Sequence, residues 1–178
     1  MIQVRKAGLR DIGPMVQLIN RYAADGIMLP RNQFELAEHV RDFTVATDGP
    51  ELLGCGALHI YTPHSAEVRS LAVDPTRKRS GIGRRIVEQL EKEAHQFELG
   101  ALFAFTYVAG FFEKLGFKEV DRGELPLKAW KDCLSCPKFN ACDEIAVLKR
   151  LREYPHDAFN APIVGMPLTG IIVSRLKS

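Results

Sequence analysis

The sequence predicts a single α/β domain in which a mixed, mostly antiparallel sheet is flanked by helices. The chain has 178 residues, of which 46% are hydrophobic, and this suits one globular core. Apolar runs of strand length alternate with turn residues through the first half. A helical pattern then separates two further apolar runs, so we expect the strands on either side of it to be parallel.

The N-terminal part is predicted to contain a strand and two helices. Ile2–Lys6 alternates as a short strand does. From Asp11, a candidate N-cap, apolar residues recur at helical spacing as far as Ala23, and Gly26 ends this helix. A second short helix is predicted over residues 34–43, with a loop between the two.

The middle of the chain is predicted to form three antiparallel strands. The first covers residues 43–47 and the second residues 52–61, and the Asp48–Gly49 pair between them is typical of a hairpin. The third strand contains Glu67 and ends at Pro75.

A helix, a buried strand, a short helix and a last strand are predicted to follow. The helix begins near Gly83 and carries one apolar face. Ala101–Thr106 is a continuous apolar run, typical of a strand that is buried on both faces. Residues 109–115 form the short helix, which Gly116 ends, and residues 117–120 form the last strand.

Charge and hydropathy exclude several classes of function. The 24 Lys and Arg against 22 Asp and Glu give a formal charge of +2, without the basic excess of a nucleic-acid binder. The start of the chain lacks a signal-peptide pattern, and the late apolar stretch at residues 163–173 is short and broken. We therefore expect a cytoplasmic protein that binds neither nucleic acid nor a membrane. The oligomeric state stays open, with a homo-oligomer as one alternative.

The turn between the third middle strand and the following helix has the features of an anion site. Gly81 and Gly83 lack a Cβ, so the backbone can take positive φ and approach a ligand closely. The first turn of the helix adds unpaired N–H groups and the positive end of its dipole. Neither the Walker nor the Rossmann glycine pattern is complete here, and a merely solvated turn is the alternative. The residues assigned to this site are Lys78, Arg79, Ser80, Gly81, Ile82, Gly83 and Arg84.

This stretch resembles the acetyl-coenzyme A motif of the GCN5-related N-acetyltransferase (GNAT) family. The family pattern is Arg/Gln-x-x-Gly-x-Gly/Ala after Leu-x-Val-x-Pro, and this chain has residues 78–83 after residues 71–75, with lysine in first place. Residues 111–117 resemble the family's second signature, and the order of elements over residues 2–121 matches its fold. The resemblance implies acetyl-coenzyme A as cosubstrate. It also implies cosubstrate contacts from the backbone of Leu71, Ala72 and Val73.

The resemblance also suggests catalytic residues. Acyl transfer from a thioester needs a polarised carbonyl, an unprotonated amine and a proton for the leaving thiolate. Glu67 is the candidate base, with an ordinary surface carboxylate as the alternative. The usual acid of the family is a tyrosine at the position of Phe112, so Tyr107 becomes the candidate acid. A packing role for Tyr107 and a proton from solvent stay open.

Three arginines are candidates for binding a substrate carboxylate through paired guanidinium contacts: Arg5, Arg31 and Arg69. For each alone, a solvated side chain is the alternative. Residues 29–31, 54–58, 67–73 and 111–117, with the cysteine segment, resemble the short, kinase-less bacterial N-acetylglutamate synthases. That resemblance implies L-glutamate as the amino-acid substrate, acetylated by direct amine attack. The alternatives are another amino acid or peptide amine as acceptor, or a non-catalytic acyl-coenzyme A sensor.

The cysteines near the C-terminus allow several interpretations. Cys133, Cys136 and Cys142 could bind zinc, form a disulfide or stay free, and since no fourth ligand is evident we assign no metal. We place them in a segment, residues 126–145, of an acetyltransferase domain that spans residues 1–150, followed by a tail over residues 151–178. The five histidines show no metal spacing and receive no role.

Overall fold

Seven strands form one sheet in the part of the chain that the computed structural model describes, residues 1–125, 138 and 141–153. The strands are β1 Ile2–Lys6, β2 Phe43–Asp48, β3 Glu51–Thr62, β4 Ser65–Val73, β5 Ala101–Thr106, β6 Lys118–Glu119 and β7 Ile145–Arg150. The α-helices are α1 Ile12–Ala24, α2 Gln33–Glu38, α3 Ile82–Gln96 and α4 Ala109–Glu113. The spatial order is β1-β2-β3-β4-β5-β7-β6.

The sheet is mixed and mostly antiparallel, as predicted. Each of the first four strands pairs antiparallel with its neighbour. α3 then crosses over the sheet, and β5 pairs parallel with β4. The predicted fold class is therefore confirmed.

Apolar side chains cover both faces of the sheet. The α3 face is built around one cluster: Leu58, Val68, Ile86, Leu90, Leu102 and Phe112. The opposite face, under α1 and α2, is built around another: Met15, Ile19, Leu36, Val45 and Ala57. Because β5 contributes Leu102 to the α3 face and Phe103 to the other, its continuous apolar run follows from burial on both sides. None of the helices in the described residues is long and apolar enough to cross a membrane.

Two glycines of β3 let α3 lie close to the sheet. A Cβ at Gly54 would lie 3.0 Å from the side chain of Ile86 and 3.0 Å from the carbonyl oxygen of Ala72. A Cβ at Gly56 would also lie 3.0 Å from Ile86. These distances leave no room for a side chain at either position, so the two glycines allow α3 to approach β3 this closely.

Asp11 stands before α1 as predicted, but its side chain does not cap the helix. Its carboxylate accepts two hydrogen bonds from the Arg5 guanidinium, at 2.7 and 2.9 Å, and one from the Gly8 N–H at 2.8 Å. The carboxylate is nearly buried, so loss of its Arg5 partner would leave an uncompensated charge away from water.

The second helix is shorter than predicted. α2 ends at Glu38, and a 3₁₀ turn, Val40–Asp42, leads directly into β2. Asn32 begins α2 with a capping box, because its side chain accepts from the Glu35 N–H while the Glu35 carboxylate accepts from the Asn32 N–H.

β7 was not predicted from the sequence, and β6 is shorter than the predicted strand over residues 117–120. β7 pairs with β5 along all six residues, from Ala101–Arg150 to Thr106–Ile145, and thus separates β5 from the two-residue strand β6. Cys133 and Cys136 lie outside the described residues, as does the segment after Glu153. The predicted domain boundary at residue 150 stays a prediction.

The Arg5–Asp11 pair predicts a pH-dependent contribution to stability. Hydrogen bonds from Arg5 hold the pKa of Asp11 below its ordinary value, against the opposing effect of burial. The pair therefore stabilises the fold above the unfolded pKa of about 3.9 and loses that contribution as the pH falls through the lower folded pKa. We expect Asp11→Asn to reduce the free energy of unfolding by about 1–3 kcal/mol at pH 7, measured by urea denaturation.

The difference between Asp11→Asn and wild type should shrink steadily below about pH 4. Glu38→Gln, a matched change at an exposed carboxylate, should shift stability by less than about 0.5 kcal/mol. A deficit of Asp11→Asn that persists undiminished at about pH 2 would contradict a charge-based role.

Candidate active site

β4 and β5 separate soon after they meet. Their parallel pairing covers Ser65–Ala101, Ala66–Leu102 and Glu67–Phe103, while β4 continues to Val73 and β5 to Thr106. Both strands lie wholly within the described residues. Their C-terminal halves therefore form a wedge whose inner edges carry backbone groups that do not pair with each other.

A β-bulge in β4 bends the strand at this wedge. Cys55 pairs with Ala72 and Ala57 pairs with Arg69, so β4 uses one more residue than β3 over this interval. Ser70 takes the left-handed conformation, with φ of +52°, which costs a non-glycine residue about 1–2 kcal/mol. The bulge redirects the end of β4 just after the last pair with β5.

The direction of the backbone groups follows from one bond at the end of β4. The Asp74 N–H donates to the Leu53 carbonyl, so it points toward β3. N–H groups alternate between the two edges of a regular strand, so the N–H of Val73 points into the wedge and that of Ala72 toward β3. Leu71 lies within the bulge, where this alternation is interrupted. Val73, one of the three predicted backbone contacts, thus faces the open edge.

A cavity of about 560 Å³ occupies the mouth of the wedge. It brings together four predicted catalytic and substrate-binding residues, Arg31, Glu67, Arg69 and Tyr107. Three of the predicted cosubstrate-binding residues also line it: Leu71, Val73 and Lys78. Arg5 does not line the cavity, and its guanidinium pairs with Asp11 instead. The cavity is therefore the candidate active site.

Glu67 lies where the two strands part. It is the last β4 residue paired with β5, and in the β3–β4 ladder it lies opposite His59. The Tyr61 hydroxyl donates a 2.9 Å hydrogen bond to Glu67 Oε2. This bond orients the partly buried carboxylate.

Tyr107 follows the end of β5 on the other side of the wedge. Its hydroxyl donates to Asp143 Oδ1 at 2.7 Å and accepts from Lys138 Nζ at 3.0 Å. Burial raises the pKa of Tyr107, and the Asp143 and Glu144 carboxylates add to the rise while Lys138 opposes it. The phenol is therefore protonated at neutral pH, as a proton donor must be.

Glu144 is a cavity residue that the sequence analysis did not identify. Its position is fixed by Arg122, whose guanidinium donates to the backbone carbonyls of Cys142 and Glu144. Burial raises the pKa of the Glu144 carboxyl, with Arg122 acting in the opposite direction. No local pattern in the sequence marks this glutamate, because only the pairing of β7 with β5 brings it to the wedge.

The glycine turn has the conformation expected of an anion site. Gly81 precedes α3 with φ of +81°, and within the described chain no side chain caps the first turn of that helix. Arg79 and Ser80 lie exposed on the turn, and Arg84 on the first turn of α3 pairs with Glu88 at 2.7 Å. Lys78 Nζ lies 5.2 Å from the centre of the Tyr22 ring, where it borders the cavity. The turn therefore fits a pyrophosphate group.

α1 holds both sides of the cavity in place. The Asn20 side chain donates to the Arg31 carbonyl at 2.9 Å and accepts from the Arg31 N–H at 2.8 Å. Two residues further along α1, the Tyr22 hydroxyl donates to the Val73 carbonyl at 2.6 Å. The loop that carries Arg31 and the end of β4 are thus bonded to the same helix.

Comparison with known proteins identifies the family. Residues 39–119 match the acetyltransferase (GNAT) domain model. An uncharacterized N-acetyltransferase from Chlorobaculum tepidum is 42% identical over 148 residues, which is 83% of this chain and 96% of that protein. The chain belongs to the GNAT acetyltransferase family. A relative from Mycobacterium tuberculosis, named amino-acid acetyltransferase, is 38% identical over 66% of this chain and 69% of its own length.

Solved GNAT structures resemble this fold closely. The N-acetylglutamate synthase of Neisseria gonorrhoeae, complexed with coenzyme A and N-acetyl-glutamate, superimposes with a TM-score of 0.78 at 27% identity. The match covers 86% of this chain and 36% of that protein. Rv2747 from Mycobacterium tuberculosis, in complex with CoA, gives a TM-score of 0.74 at 30% identity, covering 84% of this chain and 99% of that protein. The predicted cosubstrate, acetyl-coenzyme A, and the predicted enzyme class of acetyl-coenzyme A-dependent N-acetyltransferase are thereby confirmed.

The two hydrogen bonds between the Asn20 side chain and the Arg31 backbone predict that Asn20 positions Arg31 in this GNAT acetyltransferase. Asn20→Ala removes both bonds to the Arg31 backbone, so we expect the KM for the acceptor amine to rise about 5- to 30-fold, as loss of about 1–2 kcal/mol implies. The KM for acetyl-coenzyme A should stay within about twofold, and steady-state kinetics with each substrate varied in turn measures both.

Gln17→Ala is the matched control, since it removes an exposed amide from the same helix. It should leave both constants unchanged. Equal effects of the two variants, or an Asn20→Ala effect confined to acetyl-coenzyme A, would contradict the role of Asn20.

Proposed function

We propose that this chain is an N-acetylglutamate synthase, which transfers the acetyl group of acetyl-coenzyme A to the α-amino group of L-glutamate. The observation that carries the proposal is the composition of the cavity wall at the β4–β5 wedge. Glu67, Arg31 and Arg69 all line this cavity. Glu67 can accept a proton from an amine, and the two arginines can each bind a carboxylate.

L-Glutamate matches this set of charges. At neutral pH it carries two carboxylates and one ammonium group, and a guanidinium can bind a carboxylate through two parallel hydrogen bonds. Arg31 lies on the loop after α1 and Arg69 on β4, so the two cations approach the cavity from different elements. An acceptor with a single carboxylate would use only one of them.

The relatives support the same class of acceptor. The Mycobacterium tuberculosis relative is named amino-acid acetyltransferase, and the Neisseria gonorrhoeae structure contains N-acetyl-glutamate. Amino-acid N-acetylation is thus the activity attributed to relatives of the chain. The arginine pair is our reason for choosing an amino acid with two carboxylates, and the N-acetyl-glutamate of the Neisseria gonorrhoeae structure is our reason for choosing glutamate over aspartate.

In this proposal, each of several cavity residues has a separate role in the reaction. Glu67 accepts the proton that the acceptor ammonium must lose before its nitrogen can attack the thioester carbon, and Tyr61 holds the carboxylate in place for this step. The N–H group of Val73 is the donor for the thioester oxygen as negative charge develops on it. As the new C–N bond forms and the C–S bond breaks, Tyr107 supplies a proton to the departing thiolate. The nitrogen loses its second proton to solvent, and solvent restores the proton of Tyr107.

The role of Glu67 predicts a large loss of turnover on replacement. Glu67→Gln keeps the shape and the contact with Tyr61 but removes the basic group, so we expect kcat to fall about 10²- to 10⁴-fold. Binding of coenzyme A, measured by calorimetry, should be unchanged. Glu119→Gln, at an exposed carboxylate of β6, is the matched control and should retain full turnover. Turnover of Glu67→Gln equal to wild type across the pH range would contradict the assignment.

The acceptor is tested by thiol release from acetyl-coenzyme A with L-glutamate, glutamine, aspartate, lysine and arginine as substrates. We expect saturable release with L-glutamate, at a kcat/KM well above that of the other four. Release that is fastest with another amine would replace glutamate as the acceptor. Coenzyme A binding without release for any amine would favour a non-catalytic sensor.

The arginine pair can be tested in the same assay. Arg31→Gln and Arg69→Gln should each raise the KM for L-glutamate about 10- to 100-fold, since each loses a charge-assisted contact. Arg10→Gln, at an exposed arginine outside the cavity wall, should leave it unchanged. A KM that responds to neither cavity variant would contradict carboxylate binding by these residues.

A further inference from the structure

Two histidines and an aspartate meet outside the wall of the active-site cavity: His39, Asp42 and His59. The sequence analysis gave the histidines no role, because His59 is distant from the other two along the chain. In the structure one potential ligand atom from each of the three lies within 4.8 Å of the other two. We propose that these residues form a binding site for a divalent transition metal ion of the zinc class.

The distances fit ligands that share one ion. His59 Nδ1 lies 3.1 Å from Asp42 Oδ2, and His39 Nδ1 lies 3.6 Å from the same oxygen. Tetrahedral zinc with N and O ligands at about 2.0–2.1 Å places neighbouring ligand atoms about 3.3–3.4 Å apart. The two observed separations lie on either side of that value.

Hydrogen bonding alone accounts for one of these contacts and not for the other. The 3.1 Å separation is an ordinary hydrogen bond, whereas 3.6 Å is longer than one and lies within the range of an ion pair. Both nitrogens thus lie close to a single carboxylate oxygen. An ion held by all three groups would use this arrangement as it stands.

The backbone fixes the three residues before any ion binds. His39 follows α2, and Asp42 ends the 3₁₀ turn Val40–Asp42, so the two side chains are one turn apart. Phe43 comes next and pairs with Ala57, which places Asp42 beside the part of β3 that carries His59. A preformed site of this kind orders little of the chain on binding.

The exposure of the site allows an ion to enter. The side chains of His39, Asp42 and His59 are 44%, 29% and 23% exposed, so one side of the cluster faces solvent. Two imidazoles and one carboxylate with water at the fourth position make up a common zinc coordination set. Imidazole ligands also suit copper and nickel, so the class is defined by the ligands rather than by one element.

The site would act on the reaction only through neighbouring side chains. The His59 ring packs edge-on against Tyr61, with ring centres 4.7 Å apart, and Tyr61 donates to Glu67. An ion that fixes the His59 ring also fixes the support of Tyr61. The proposal does not depend on which amine is acetylated, because it concerns binding of the metal itself.

Metal binding is tested with the full-length, tag-free protein and Co²⁺, whose tetrahedral complexes absorb visible light. We expect one ion per chain, with a visible band that Zn²⁺ displaces. His59→Asn and His39→Asn should each weaken binding at least about 10- to 100-fold, since loss of even an outer-shell partner has an effect of that size. His95→Asn, an exposed histidine on α3, is the matched control and should bind as wild type does.

Two further measurements make the result decisive. Coenzyme A binding by each variant shows that it is folded. Cysteine coordination would add a near-ultraviolet thiolate band, so a band that disappears in Cys133→Ser/Cys136→Ser and persists in His59→Asn would overturn the proposal. Absence of Co²⁺ and Zn²⁺ binding by wild type would overturn it equally. A visible band that is lost only in the His39 and His59 variants supports it.

Discussion

The three-pair contact between β4 and β5 determines the position of every other part of the candidate site. A longer parallel ladder would use the backbone groups of residues 68–73 within the sheet and close the wedge. The bulge at Ser70 prevents this, at a local backbone cost of about 1–2 kcal/mol. Glu67 lies at the vertex, Tyr107 at the opposite rim, and the first turn of α3 beyond the end of β4.

The local parts of this architecture could be predicted from the sequence. The glycine turn, α3 and the buried strand β5 each depend on residues within one short window, and each was located correctly. Gly81 does adopt positive φ. Acetyl-coenzyme A as cosubstrate followed from the resemblance of that window to a family motif.

The remaining parts depend on contacts between distant segments. β7 is held in the sheet by its pairing with β5, a segment far away in the sequence. Glu144 directly precedes β7, so the same pairing brings it to the cavity. The bond from Tyr61 to Glu67 and the meeting of His59 with Asp42 both require the register of β3 against its neighbours. Arg5 was predicted to bind a substrate carboxylate, and nothing in the sequence indicated that the Asp11 carboxylate would bind it instead.

α1 is hydrogen-bonded to elements on both sides of the cavity. Asn20 bonds to the loop of Arg31, and Tyr22 bonds to the Val73 carbonyl while its ring lies beneath Lys78. A displacement of this helix therefore changes the acceptor side and the cosubstrate side together. Thermodynamic linkage then requires that whatever affinity one bound substrate adds for the other is returned by the same factor. Any synergy between the two substrates would therefore be transmitted through α1.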